Sequence, residues 1–259
     1  MRLNATPVTV EPVITSLDNP RVKEVLRLRT SRERRKSGLL VAEGPREVER
    51  ALAAGLRAEA IYVAPELIEW ASGEEVSAKV LAKMAYRAEP EGVIGVFAAP
   101  THELPASPSL LIVCVGIEKP GNLGAIARSA SAAGADALII AEGVVDPFNP
   151  NAIRASTGAV FTLPIVELTL DQLIALDVPL VAAVVGAPTP LWNADLRRPI
   201  ALVIGAEDDG LDDRWRRAAA QHVSLPMRGD SVDSLNAANA AAARGRAARA
   251  ARDTRAMTA

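Results

Sequence analysis

The sequence predicts an α/β protein in two parts, and three observations predict it. Short apolar runs alternate with amphipathic or Ala-rich segments along most of the chain, the pattern of strands interleaved with helices. In the C-terminal part the strand runs are continuously apolar ("LLIVCVGI", "ALIIAEG", "IALVIGA"), as strands of a mostly parallel sheet covered on both faces must be. Between the halves, "PTHELPASPS" (residues 100–109) is proline-rich, lacks periodicity and reads as a linker. The expected division is a loose tail over 1–12, a small α/β domain over 13–105 and a larger α/β domain over 106–259.

The elements follow in order. In "SLDNPRVKEVLRLRT" the spacing of Val22, Val25, Leu26 and Leu28 predicts a helix, with Asp18 or Asn19 as cap and Pro20 in its first turn. "GLLVAEG" reads as a strand, "PREVERALAAG" as a helix closed by Gly55, "AEAIYVAP" as a second strand, and "VIGVFAA" as another after two further elements. The second domain offers six strands: "LLIVCVGI", "ALIIAEG", "FTLPIVEL", "LVAAVVG", "IALVIGA" and "HVSLPM".

Composition excludes several classes. An apolar fraction of 49% supports a real core, and aromatics at 3% mean that Ala, Val, Leu and Ile must build it. One cysteine, Cys114, excludes a disulfide framework and a Cys-based zinc site, and its place inside an apolar strand makes it a small buried hydrophobe. No signal peptide opens the chain, and no apolar run approaches the roughly 20 residues of a membrane span, so a cytoplasmic protein without membrane attachment is expected. The net charge of -2 conceals an uneven distribution. "RVKEVLRLRTSRERRKSG" and "RGRAARAARDTR" are densely cationic, while acids gather in "EPEG" and "AEDDGLDD". Taken alone, each basic run fits a solvated helix face as well as a polyanion-binding one.

The chemistry is expected at the turns that follow strands. "EKPGNLGAIARSASAAGAD" follows a buried strand and opens a helix, at the sheet edge that ligands favour in open α/β folds. It lacks both the G-x-G-x-x-G fingerprint and the GK[ST] ending of a phosphate-binding P-loop. Leu123, Ile126, Ala130 and Ala133 fall on one apolar face, and Arg128 lies off it. Helical side chains lean toward the N-terminus, so Arg128 can reach back to the turn carrying Asn122 and Gly124, where an anion such as phosphate would sit. The plain alternative is a surface arginine on an amphipathic helix. "PIALVIGAEDDGL" places Gly205, Glu207 and Gly210 after another strand, and "HVSLPMRGDSVDSLNAANAAAA" leads from a strand through a polar loop to a helix capped near Asp233 or Ser234. Such small residues and free amides suit a cofactor recognised through the main chain. No G-x-S-x-G elbow, H-E-x-x-H or Cys–His arrangement occurs, and neither His102, in the linker, nor His222, before a strand, offers a general base. The acids of "AEDDGLDD" could bind Mg²⁺ but fit a solvated turn better, Glu207 excepted because it stands two residues past a buried strand.

Together these segments resemble the SpoU (TrmH-like) family of S-adenosylmethionine-dependent RNA ribose 2′-O-methyltransferases. The first family motif is matched by Asn122, Gly124, Arg128 and "GAD", the second by "IGAEDDGL", the third by "LPMRGDSVDSLN", and "DPFNPNAIRASTGAVFTLPI" is similar to an intervening Arg-x-Ser-x-Gly segment. The match spans about residues 108–250. Residues 15–98 resemble the small RNA-binding domain, akin to certain ribosomal proteins, that often precedes this catalytic domain; "ITSLDNPRVKEVLRL", "LLVAEGPREVERAL" and "EGVIGVFA" carry that likeness.

The resemblance implies a parallel sheet whose C-terminal part is threaded into a trefoil knot, and a homodimer. It implies a cofactor pocket that includes Gly186, Gly205, Leu225, Met227, Ser234 and Leu235, with no metal. It makes Arg128 the principal catalytic residue, engaging the adjacent phosphate and stabilising the developing alkoxide, while family proposals also have it accept the proton; Asn122, Glu207, Ser234 and Asn236 would orient it and the ribose. RNA contacts are expected at Arg27, Arg32, Arg34, Arg35, Lys36, Arg154 and Ser156. Ala206 departs from the family's Ser or Asn before Glu207. Ribosomal RNA, 23S in particular, is the expected substrate and transfer RNA the alternative. A knotted base methyltransferase and a non-catalytic RNA-binding protein on the same scaffold are the rivals.

Overall fold

The computed structural model describes residues 13–143, 145–196, 199–206 and 209–224, and the chain divides into two compact units, Met1–Ala99 and Pro100–Ala259. In the first, helix α1 (Pro20–Arg27) starts where the Asn19 side chain accepts from the Arg21 amide at 2.9 Å. The basic run does not continue that helix. Thr30 caps a separate one, α2 (Ser31–Ser37), which Gly38 closes in the left-handed region at φ 67°. Four strands, β1 (Leu39–Glu43), β2 (Ala58–Val63), β3 (Glu74–Glu75) and β4 (Val93–Ala98), form a sheet of order β1-β4-β2-β3. Helices α3 (Pro45–Ala53) and α4 (Ala78–Met84) complete the unit. Val22, Val25 and Leu28 pack with Val80, Leu81 and Met84 of α4 onto Val41, Tyr62 and Ile94 of the sheet. On β1 the buried Glu43 carboxylate accepts from the Arg87 amide at 3.2 Å, and the Arg87 guanidinium donates to the Glu43 carbonyl at 2.9 Å.

The second unit is a parallel sheet. Its strands are β5 (Leu110–Val115), β6 (Ala137–Ala141), β7 (Ile165–Glu167), β8 (Leu180–Ala183), β9 (Thr189–Pro190), β10 (Ile200–Ile204) and β11 (Gln221–Ser224). Their order is β7-β6-β5-β10-β8-β11-β9, and every pairing is parallel. β5, β6 and β10 are buried throughout, as their unbroken apolar sequences require. Helices α5 (Pro120–Ala132), α6 (Pro150–Ser156), α7 (Leu170–Ile174) and α8 (Asp213–Ala218) connect them. The expected apolar face of α5 is buried at Leu123, Ile126, Ala130 and Ala133. "FTLPIVEL" yields only the short β7, because Ala159–Phe161 turns as a 3-10 helix. The two-residue strands β3 and β9 carry no periodicity that would have announced them.

The proline-rich stretch has neither helix nor strand until Leu110, yet it is packed rather than free. Leu104 lies on the core of the second unit, and the His102 Nδ1 accepts from the Ile165 amide at 2.9 Å. Burial holds the His102 imidazole below its ordinary pKa, against the opposing effect of a hydrogen bond with the Phe161 backbone. The folded state therefore binds fewer protons than the unfolded state as pH falls through about 6.5, and stability present above that value is lost toward the depressed folded pKa. Melting of the wild-type chain followed from pH 7.5 to 5.5 should show this loss, and His102→Gln should lack that component. Equal pH dependence in both proteins would contradict it.

Candidate active site

The site is assembled from the carboxyl ends of adjacent strands. β5 leads into Gly116, which adopts φ 66° and donates its amide to the Ala141 carbonyl at the end of β6 at 3.0 Å. β10 leads into Gly205 and Ala206, and Gly210 donates back to the Ala206 carbonyl at 3.2 Å. That crossing needs glycine: a Cβ on Gly205 would stand 2.3 Å from the Gly210 carbonyl carbon and oxygen. The turns after β5 and β10 border one cleft, and a Cβ added at Gly116 would come to 3.6 Å from the Ala206 Cβ. Between them lies a cleft of about 320 Å³ that includes Gly116, Lys119, Asn122, Glu142, Ala206 and Asp212.

Asn122 reaches this cleft from inside a helix. The connection after β5 is shorter than the sequence suggested, because α5 begins at Pro120 with Lys119 as its cap. Gly121 and Gly124 are therefore helical, and Gly124 serves packing. The position a Cβ would take there lies 2.3 Å from the Ala152 carbonyl oxygen of α6 and 2.9 Å from the Ala155 Cβ, so only glycine lets the two helices approach this closely. Arg128 is exposed on the same helix and does not line the cleft; no hydrogen bond or ion pair ties it to a described residue. Its side chain is thus available at the surface of the helix whose first turn supplies Asn122.

Glu142 carried no expectation. It follows β6 directly, takes a left-handed φ of 54° that a non-glycine residue rarely adopts, and lines the cleft. Its Oε1 accepts from the Arg214 Nη2 at 2.9 Å, and the same nitrogen pairs with Asp212 Oδ2 at 2.9 Å. Asp212 caps α8, accepting from the Arg214 amide at 2.8 Å and the Trp215 amide at 3.1 Å; the bond from Trp215 foremost, then Arg214, holds its carboxyl below the usual range. An ion-pair bridge thus ties the end of β6 to the helix after β10. The rule that pointed to Gly205, a polar or small residue just past a buried strand, would have found Glu142 in "ALIIAEG".

The remaining expected positions divide. Gly186 follows β8 at φ 73°, with nothing within 4 Å of where a Cβ would stand, and Ser224 Oγ at the end of β11 donates to the Ala187 carbonyl at 2.8 Å. The sheet order sets the carboxyl ends of β10, β8 and β11 side by side, which places Gly205 and Gly186 on neighbouring strand ends. Glu207, Leu225, Met227, Ser234, Leu235 and Asn236 lie outside the described residues, as does the helix expected near Asp233.

Two expected RNA contacts are corrected. Arg34 is only 3% exposed and donates to the Leu28 carbonyl at 2.6 Å, so its guanidinium ties α2 to the end of α1 and does not face solvent. Ser156 is fully buried, with its hydroxyl donating to the Ile153 carbonyl at 2.8 Å and accepting from the Gly158 amide at 3.2 Å; it closes α6. Arg27, Arg32, Arg35, Lys36 and Arg154 are exposed. Among the described residues no group of His, Cys, Asp or Glu is placed to hold a metal ion, and no helix is long and apolar enough to cross a membrane.

Residues 109–243 match the SpoU rRNA Methylase family, more than half of the chain. The chain belongs to that family. Residues 19–95 match the MRM3-like substrate binding domain. The RlmP 23S rRNA (guanosine(2553)-2′-O)-methyltransferase of Bacillus subtilis is 29% identical over 84% of this chain and 92% of its own. A crystal structure of an RNA 2′-O ribose methyltransferase superposes with TM-score 0.83 at 39% identity, covering 93% of this chain and 99% of that one. An AdoMet-bound rRNA methyltransferase from Sinorhizobium meliloti superposes with TM-score 0.82 at 29% identity, over 92% and 97% of the two chains. The mixed α/β architecture with a parallel sheet is therefore that of the SpoU methyltransferases.

Proposed function

We propose that this SpoU family member transfers a methyl group from S-adenosylmethionine to a ribose 2′-hydroxyl of 23S ribosomal RNA. The observation that carries the reading is the meeting of the turns after β5 and β10 at one cleft, with Asn122 in it and Arg128 exposed on the helix that supplies Asn122. A named 23S ribosomal RNA enzyme matching nearly the whole chain favours ribosomal over transfer RNA.

The described part of the cofactor site fits S-adenosylmethionine. Gly186 leaves open space at its strand end, so its backbone groups can be approached without a side chain in front of them, while Gly205 lets the Gly210 main chain close the turn on the neighbouring strand. Leu225, Met227, Ser234 and Leu235 would complete this pocket. When bound, S-adenosylmethionine supplies an electrophilic methyl group. The chain's own part is orientation and charge: Arg128 holds the phosphate beside the target ribose and stabilises the alkoxide that develops on its 2′-oxygen, while Asn122, Glu207, Ser234 and Asn236 fix the ribose and the guanidinium. The planar fork of arginine suits both phosphate and alkoxide. Calorimetry should show at most one S-adenosylmethionine per subunit, with affinity unchanged by EDTA. Activity abolished by EDTA and restored by Mg²⁺, on an RNA whose fold does not need Mg²⁺, would contradict the metal-free reading.

We further infer a homodimer, a trefoil knot in the C-terminal domain, and action in the cytoplasm. The return of β10 to the middle of the sheet, between β5 and β8, supports the knotted threading. The first unit binds RNA through Arg27, Arg32, Arg35 and Lys36, with Arg154 contributing from the second. Neutralising Arg32, Arg35 and Lys36 together should weaken binding to unrelated RNAs alike and reduce the salt slope of log affinity by about 2 to 3, since phosphate contacts release counterions and carry little sequence information. An unchanged slope would return these side chains to a solvated helix face. Arg34→Ala should instead lower the melting temperature, because it removes a buried tie between α1 and α2.

A further inference from the structure

The first unit holds a cleft of about 580 Å³, within the roughly 300–1,000 Å³ range of small-molecule sites. Its floor is aliphatic: Leu39 of β1, Val96 of β4 and Ala60 of β2 stand on three adjoining strands, with Ala60 directly opposite Val96. Tyr62 also lines it. That side chain is only 3% exposed, and its hydroxyl makes no hydrogen bond with any described residue. Its oxygen is not among the buried polar atoms left without a partner, so it opens to the cleft and can donate to a group placed there. Burial pushes its pKa up to about 12, so it keeps its proton and can donate.

The rim carries acceptors. Glu24 of α1 and Glu33 of α2 border the cleft, and Arg27 stands at the end of α1. Carboxylates repel phosphate but accept from amino groups. An apolar floor takes the face of a ring, as bases stack on apolar side chains. On α2 the cleft-lining residues Glu33 and Ser37 are one helical turn apart, while Arg32, Arg35 and Lys36 are exposed on its other sides. A single strand laid along α2 can leave its phosphates on those cations and turn one base into the cleft beside them. The same cations repel a basic peptide, which decides between the two kinds of partner that carboxylates attract.

We propose that this cleft binds one unpaired RNA base bearing an exocyclic amino group, on a nucleotide other than the one that is methylated. Adenine, cytosine and guanine each present such a donor to Glu24 and Glu33; uracil presents carbonyl oxygens instead. The proposal rests on the chain acting on RNA, and it adds a sequence preference to a domain otherwise read as a phosphate-binding surface.

Fluorescence anisotropy of the full chain with single-stranded oligo(A), oligo(C) and oligo(U) of equal length and at one salt concentration tests it. The wild type should bind oligo(A) and oligo(C) at least about fivefold more tightly than oligo(U), the worth of one or two hydrogen bonds. Ala60→Phe, which fills the floor, should bring all three to the oligo(U) level. The pair Glu24→Ala and Glu33→Ala, on the surface helices, removes both acceptors and should do the same without risk to the core. Absence of a preference in the wild type, or a preference that survives both changes, overturns the pocket. The same protein is assayed for methyl transfer to ribosomal RNA. Transfer without base preference sinks the pocket alone, whereas preference without transfer counts against the enzymatic reading and leaves the pocket supported.

Discussion

Arg128→Ala is expected to lower methyl transfer by about a hundred- to a thousandfold while leaving S-adenosylmethionine affinity within about twofold. The split follows from placement. Arg128 is exposed on α5 and does not line the cleft between the turns after β5 and β10, and the proposal gives its contacts to the RNA. It is not part of the core, where the α5 face is carried by Leu123, Ile126 and Ala130, and its removal should leave the melting temperature unchanged. Arg128→Lys should not restore the rate, because a single ammonium cannot span phosphate and alkoxide as a planar fork does. Single-turnover rates with isotopically labelled cofactor, beside calorimetric binding, measure both quantities. A lysine variant that keeps most of the rate would show that only positive charge is needed there and would remove Arg128 from its assigned role.

Gly124→Ala is expected to damage both stability and activity, although alanine is the better helix former. The helical gain is about 0.5–1 kcal/mol. Against it, the new methyl would stand 2.3 Å from the Ala152 carbonyl oxygen and 3.0 Å from its carbon, both backbone atoms that cannot swing aside. Overpacking of this kind costs about 1–3 kcal/mol, so a net loss of about 1–2 kcal/mol is expected, or roughly 2–8 °C in the melting of a unit this size. Methyl transfer should fall with it, because α5 carries both Asn122 and Arg128 and its seat on α6 aims them. Gly121→Ala is the control. No atom lies within 4 Å of its new methyl, so it should be neutral or slightly stabilising. Equal melting of the two variants in scanning calorimetry would remove the close helix approach as the reason for glycine at 124.

Much of the fold was legible because burial leaves a mark on sequence. β5, β6 and β10 are apolar at every position and buried at every position. A cap at Asp18 or Asn19, of which Asn19 serves, the Pro20 start and the apolar stripe of α5 were readable for the same reason: local geometry demands particular residues there. What escaped depends on which way a side chain turns once its neighbours are in place. The basic run reads as one cationic surface, yet Arg34 is drawn inside by the Leu28 carbonyl. Ser156 reads as a polar motif residue, yet its hydroxyl closes its own helix. The linker reads as free chain, yet His102 is fastened to Ile165.

The candidate site shows the same division. Asn122 and the second glycine turn could be named from their places just past buried strands, and the structure brings Asn122 and Ala206 to one cleft. The two glycines of the first turn were expected to expose amides to a ligand. Helix α5 absorbs both, and the space at Gly124 is taken by α6. The Glu142–Arg214–Asp212 bridge joins residues 72 apart in sequence, a pairing that neither periodicity nor motif spacing encodes. Only the neighbouring positions of β6, β5 and β10 in the sheet make it possible.

The central claim is methyl transfer to ribose. Incubating the chain with labelled S-adenosylmethionine and 23S ribosomal RNA, then digesting to nucleosides, locates the methyl group directly. The label should appear on a 2′-O-methylated nucleoside from a single position and should vanish with Arg128→Ala. Label recovered on a base, or none transferred by a protein that binds the cofactor, would contradict the account.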